Sequence, residues 1–142
     1  MAKLENKPRT PTADDYVGHW ELVPAESKYD LSQVPKAAKL DIKSEKGGLF
    51  IRLEWVDHVG AKGEIDHSFP FKQPVMVNGN EYTLALNDDG SLETVVQTEA
   101  GQELSRTRRT LSDDRKQMQL VQSGARPDHG TYTNLSVYKR VR

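Results

Sequence analysis

From Lys39 onward the chain alternates between short runs of period-two hydrophobicity and tight clusters of Gly, Asn and Asp. Leu40 and Ile42 alternate with Asp41 and Lys43, so one face of that run is apolar and the other charged. Successive side chains of a strand point to opposite faces, and such alternation marks a half-buried strand. Gly47-Gly48 follows as a hairpin signal, and the next run places Leu49, Ile51, Leu53 and Trp55 together on one face. The pattern repeats through Glu64–Phe71, Pro74–Val77, Glu81–Leu86, Leu92–Thr98, Glu103–Ser112, Gln117–Gln122 and Tyr132–Val141. The punctuation comes from Asn78-Gly79-Asn80, Asn87-Asp88-Asp89-Gly90, Ala100-Gly101-Gln102 and Asp113-Asp114-Arg115-Lys116, with a longer loop over Gly124–Gly130.

Upstream, Val17–Val23 reads as the first strand, with Trp20 and Leu22 on one face. Pro24 suits the first position of a short helix, and the irregular Pro24–Pro35 stretch has room for one or two turns that act as a lid or plug. Residues 1–13 carry two prolines and several charges, and they read as a mobile arm ahead of a single domain over 14–142. About ten strands with short connections imply an antiparallel meander. A long meander leaves reactive edges unless it closes, so the expected fold is an all-β, up-and-down antiparallel barrel of roughly 8–10 strands with at most one short helix. A β-sandwich is the competing architecture. Pro70 marks its strand as an edge, or as one that bends.

Composition narrows the function. The 142 residues suffice for one core, and the net charge of −1 sets up no field for nucleic acid. The absence of cysteine removes disulfides, thiolate metal sites and a cysteine nucleophile, and it fits a cytoplasmic location. No apolar run is long enough for a membrane span, and the first residues lack the apolar core of a signal peptide. No pair of histidines has strand spacing for a shared ligand, so neither a metal nor another cofactor is expected; a haem held by one histidine is the single conceivable exception.

Gly18-His19-Trp20 at the first strand and Tyr138-Lys139-Arg140 at the last resemble the two ends of the calycins, the lipocalins and fatty-acid-binding-like barrels. Trp20-Glu21-Leu22 with Ala25-Glu26-Ser27-Lys28-Tyr29 is also similar to a group of uncharacterised bacterial lipocalin-like proteins. The resemblance implies that Trp20 seals the closed end of a barrel beneath Arg140, an arrangement worth about 0.5–2 kcal/mol. The link after the first strand is shorter than the two-helix lid of fatty-acid-binding proteins, and no T-D-Y motif is present.

The site expectation follows from which faces turn inward. Trp55, Phe69, Phe71 and Tyr82 are expected to supply apolar contact to a ligand, and His67, Tyr138 or an arginine to fix its polar head. Arg106 and Arg108 share a face with Leu104, which makes them either carboxylate partners in the cavity or members of a solvated outer face. In the last strand Tyr132, Asn134, Ser136, Tyr138 and Arg140 share a face that points inward if the cavity is wet. His129 sits in a loop and His58 beside Asp57, both expected to be exposed. The leading function is binding of a small apolar or amphipathic molecule, with no catalytic residue assigned. The rivals are an isomerase or hydrolase using His67 as acid–base group, and a ligand-free homodimer joined through Leu135 and Val137.

Overall fold

Eleven strands account for most of the structure, a computed structural model that describes residues 9–30, 33–125 and 130–141. In chain order they are β1 (Gly18–Leu22), β2 (Lys28–Tyr29), β3 (Ala37–Glu45), β4 (Gly48–Val56), β5 (Lys62–Pro70) and β6 (Val75–Val77). There follow β7 (Asn80–Leu86), β8 (Leu92–Gln97), β9 (Glu103–Leu111), β10 (Gln117–Ala125) and β11 (Thr131–Arg140). Two 3-10 turns, Ala13–Tyr16 and Pro24–Glu26, are the helical elements among the described residues. Most of the N-terminal arm, and His129, lie outside the described residues.

All the ladders are antiparallel, in the order β5-β4-β3-β1-β11-β10-β9-β8-β7-β6, with β2 paired to β11 beside the path. β1 joins the two ends of the chain, pairing with β3 on one side and with β11 on the other. The sheet therefore rolls into a nearly closed up-and-down barrel and not into two stacked layers. The remaining gap separates β5 from β6, and Pro70 closes the edge strand β5, where its missing N–H leaves no ladder partner unsatisfied. Toward one end of the gap, Phe71 bridges to Leu84 and the rings of Phe69 and Tyr82 lie 6.2 Å apart.

Several boundaries differ from the sequence reading. The β3–β4 turn is made by Lys46 and Gly47, and Gly48 already belongs to β4. β10 continues through Gly124 to Ala125, because its pairing with Thr131 and Tyr132 holds residues that composition alone marks as loop. The described residues of the Pro24–Pro35 stretch form one 3-10 turn and the short β2 strap. Val23 N–H donates to Val137 O at 2.7 Å, and Ser27 Oγ accepts from Val137 N–H at 3.0 Å. Val137 is 3% exposed within this single chain as a result.

The apolar core gathers at the end where β3–β4, β7–β8 and β9–β10 turn. Tyr16, Trp20, Ile42, Leu49, Leu84, Leu92 and Met118 are fully buried there. Arg140 lies over the Trp20 ring, its guanidinium carbon 4.2 Å from the centroid. The same guanidinium donates to the carbonyls of Val17 and Asp15 at 2.7 Å each and of Arg115 at 2.9 Å. Trp20 Nε1 donates to Tyr16 O at 3.0 Å. The glycine of the opening Gly-x-Trp has a steric reason: a Cβ at position 18 would lie 2.5 Å from Arg140 Nη1.

Candidate functional site

Above this packed floor the barrel does not fill. A cavity of about 720 Å³ opens toward the end where β4–β5, β8–β9 and β10–β11 turn. Period-two geometry sets its walls: β4 contributes Ile51, Leu53 and Trp55, and β5 contributes Ile65, His67 and Phe69. Leu40 and Ala38 of β3, Tyr82 of β7 and Tyr138 of β11 also line it. Two aromatic groups of the wall lie across glycines of the paired strand. A Cβ on Gly63 would sit 2.3 Å from the Trp55 indole, and one on Gly124 would sit 2.9 Å from the Tyr132 ring. Any larger residue at 63 or 124 would push these rings into the cavity or out of it.

Among the residues singled out from sequence, Trp55, His67, Phe69, Tyr82 and Tyr138 line this space. Phe71 does not; Pro70 ends β5, and Phe71 N–H donates to Gly47 O at 2.9 Å, which packs its ring against the core at the closed end. Arg106 and Arg108 face outward. Arg106 pairs with Glu93 at 3.1 Å and Glu103 at 2.8 Å, and Arg108 pairs with Asp89. The inward arginine of β9 is Arg109, which follows Ser105 and Thr107 along the cavity wall. A β-bulge explains the parity change: Val96 pairs with Ser105 but Gln97 pairs with Glu103, so Leu104 is the extra residue. Leu104 and Ser105 therefore both line the cavity, and a face counted from Leu104 puts the wrong arginines inside. Both faces of this run are polar, so the sequence of β9 carries no signal of its own that separates the Ser105, Thr107, Arg109 face from the Arg106, Arg108 face.

Arg109 is the chemically decisive group. It is 8% exposed and donates from Nη1 to Thr94 Oγ1 at 2.9 Å, with a longer contact to Leu92 O at 3.4 Å. Its Nε is buried with no partner among the described residues. Among the described residues, no Asp or Glu lines the cavity. Burial pulls the guanidinium down to about 10, so it keeps its charge at neutral pH. Burial also pushes the neighbouring Tyr138 hydroxyl up, so it stays a neutral donor. The result is a cation with no counterion among the described residues, at the bottom of a mostly apolar chamber.

On the last strand, Tyr132 and Tyr138 line the cavity, while the Ser136 and Tyr29 hydroxyls lie 2.7 Å apart and Asn134 Oδ1 accepts from Asp30 N–H at 3.2 Å. His67 Nδ1 lies 3.1 Å from Asp66 O, and its ring centroid is 5.6 Å from that of Phe69. No carboxylate or hydroxyl among the described residues bonds it, so the geometry supplies no relay for acid–base work there. Among the described residues, no helix is long and apolar enough to cross a membrane.

No known family's sequence model matches the chain, and no curated protein does. Solved structures do match in shape. A Schistosoma mansoni fatty acid binding protein in complex with arachidonic acid superposes with a TM-score of 0.66 at 12% identity, covering 92% of this chain and 98% of that one. A zebrafish ileal bile acid-binding protein complexed with cholic acid gives 0.60 at 9% identity, covering 89% and 99%. A mutant of the fluorescent protein UnaG gives 0.62 at 13% identity, covering 92% and 99%. At such identities the likeness is one of architecture, and it is consistent with the barrel described above: this chain has a calycin-like fold.

Proposed function

We propose that the protein binds a small amphipathic anion, with the apolar body against β3–β5 and the acid group on Arg109. The carrying observation is a buried guanidinium in a chamber to which the described residues contribute no carboxylate. A charge buried without a counterion is costly, and an anionic ligand would supply the missing partner. Bidentate pairing suits a carboxylate, and Tyr138 lines the same chamber as a neutral donor. The complexes named for the similar structures both hold amphipathic carboxylic acids, which fits this reading. As part of it, residues 14–142 act as one domain in the cytoplasm, with no nucleic-acid partner.

Trp55 reports on the site because its indole lines the wall. Titration of a panel of aliphatic and ring carboxylic acids is expected to change Trp55 fluorescence at micromolar concentration, and calorimetry to give matching affinities. Absence of binding for every acid, or equal binding by Arg109→Met, would overturn the proposal.

A further inference from the structure

The order of strands sets which walls face each other. In a ten-strand path, strands five places apart are diametrically opposed, so β4 faces β9, β3 faces β8 and β5 faces β10. The β4 side is Ile51, Leu53 and Trp55, apolar apart from the indole N–H. The β9 side presents Ser105, Thr107 and Arg109 at three successive alternating positions, with Leu104 of the bulge beside Ser105 at the mouth. The flanks are mixed, with Thr94 and Val96 of β8 on one side and Leu120 and Gln122 of β10 on the other. Besides His67 of β5, Tyr82 of β7 and the tyrosines of β11, polarity in this chamber thus runs along β9 from near the mouth to the floor and is not confined to the end that holds the cation.

A container for a plain head-and-tail acid needs one polar end and hydrocarbon elsewhere. Hydroxyls along the length of the wall would face a bare methylene chain and lose hydration without return. Inward positions on one strand repeat every two residues, so Thr107 lies about 7 Å and Ser105 about 13 Å from Arg109 along β9. The longer distance is roughly the span of an extended twelve-carbon acid.

We propose that the natural ligand is an oxygenated acid, with its carboxylate on Arg109 and hydroxyl or carbonyl groups along one edge that meet Thr107 and Ser105. The inference rests on the ligand-binding reading above and names the ligand class within it. The β4 wall covers the unsubstituted edge, and the β9 wall reads the substituted one.

The experiment compares dodecanoate, 6-hydroxydodecanoate and 12-hydroxydodecanoate by calorimetry on the full chain and on Ser105→Ala and Thr107→Val. Both hydroxy acids are expected to bind about threefold to tenfold more tightly than dodecanoate, as one net hydrogen bond each implies. The advantage of the 6-hydroxy acid should disappear in Thr107→Val alone, and that of the 12-hydroxy acid in Ser105→Ala alone. An ordinary apolar container gives the opposite order, because a hydroxyl costs hydration on entry. Dodecanoate binding as tightly as either hydroxy acid, while still depending on Arg109, overturns this inference and leaves the ligand-binding reading intact. Failure of all three acids to bind overturns both.

Discussion

At the scale of single residues the molecule sets stability against function at Arg109. A buried guanidinium that bonds one threonine hydroxyl, with one nitrogen orphaned, weakens the empty barrel. Replacing it with a flexible apolar side chain of similar length removes that cost. Arg109→Met is therefore expected to raise Tm by a few degrees, read by thermal melting monitored by circular dichroism. The same change should weaken binding of a carboxylic acid by about 10–100-fold, since a buried charged hydrogen bond is worth roughly 1.5–3 kcal/mol. A lower Tm with unchanged affinity would mean that Arg109 serves packing alone. Residues set aside for function are commonly those at which stability is easiest to gain.

At the scale of elements, the opening Gly-x-Trp and the closing arginine form one device. Gly18 has φ of +146°, and the space its Cβ would need holds Arg140 Nη1, which is fixed by its bond to Val17 O. Gly18→Ala is expected to cost about 2–4 kcal/mol in urea denaturation, from backbone strain and a displaced guanidinium together. In an Arg140→Ala background the steric part is absent, so the added cost of Gly18→Ala should fall to about 1–2 kcal/mol, leaving strain alone. Equal costs in both backgrounds would disprove the coupling. The Trp20–Arg140 part of this device was legible through the resemblance to the calycins at the first and last strands, whereas the close approach of Gly18 to Arg140 appears only in the folded chain. The strands were legible too, since alternation such as Leu40, Ile42 against Asp41, Lys43 survives in the structure as inward and outward faces. What alternation does not reveal is a lost beat. The bulge at Leu104 depends on how β9 meets β8, so no count along β9 alone distinguishes Arg109 from Arg106 and Arg108. Phe71 failed for a related reason, because Pro70 ended the strand whose parity had placed it in the wall.

For the whole molecule, closure rests on a short seam. β1 and β11 share three registered pairs, Trp20 with Arg140, Glu21 with Lys139 and Leu22 with Tyr138. Further support comes from beneath, where the segment before β1 crosses the base. Arg9 makes two bonds of 2.7 Å to the Asp15 carboxylate, Thr12 N–H donates to it at 2.8 Å, and Arg115 donates to Arg9 O at 2.6 Å. Arg140 then takes Asp15 O, so the same short segment contacts β11. The Arg9 guanidinium holds the Asp15 carboxyl well below the usual carboxylate range, with the Thr12 amide adding to the effect. The sign follows from that direction. An acid with a lowered folded-state pKa contributes stability that is complete above its unfolded value, about 4, and is lost as pH falls below it. Asp15→Asn cannot ionise and lacks this contribution at every pH. Its Tm is expected to lie below that of the parent protein at pH 7, with the gap unchanged down to about pH 5 and then narrowing steadily as the solution is acidified. Thermal melts at several pH values, with salt held constant because the Arg9 side chain is exposed, supply the measurement. A gap that stayed constant through pH 3 would show that the Asp15 charge does not support the base, and that closure rests on the three seam pairs and the guanidinium of Arg140.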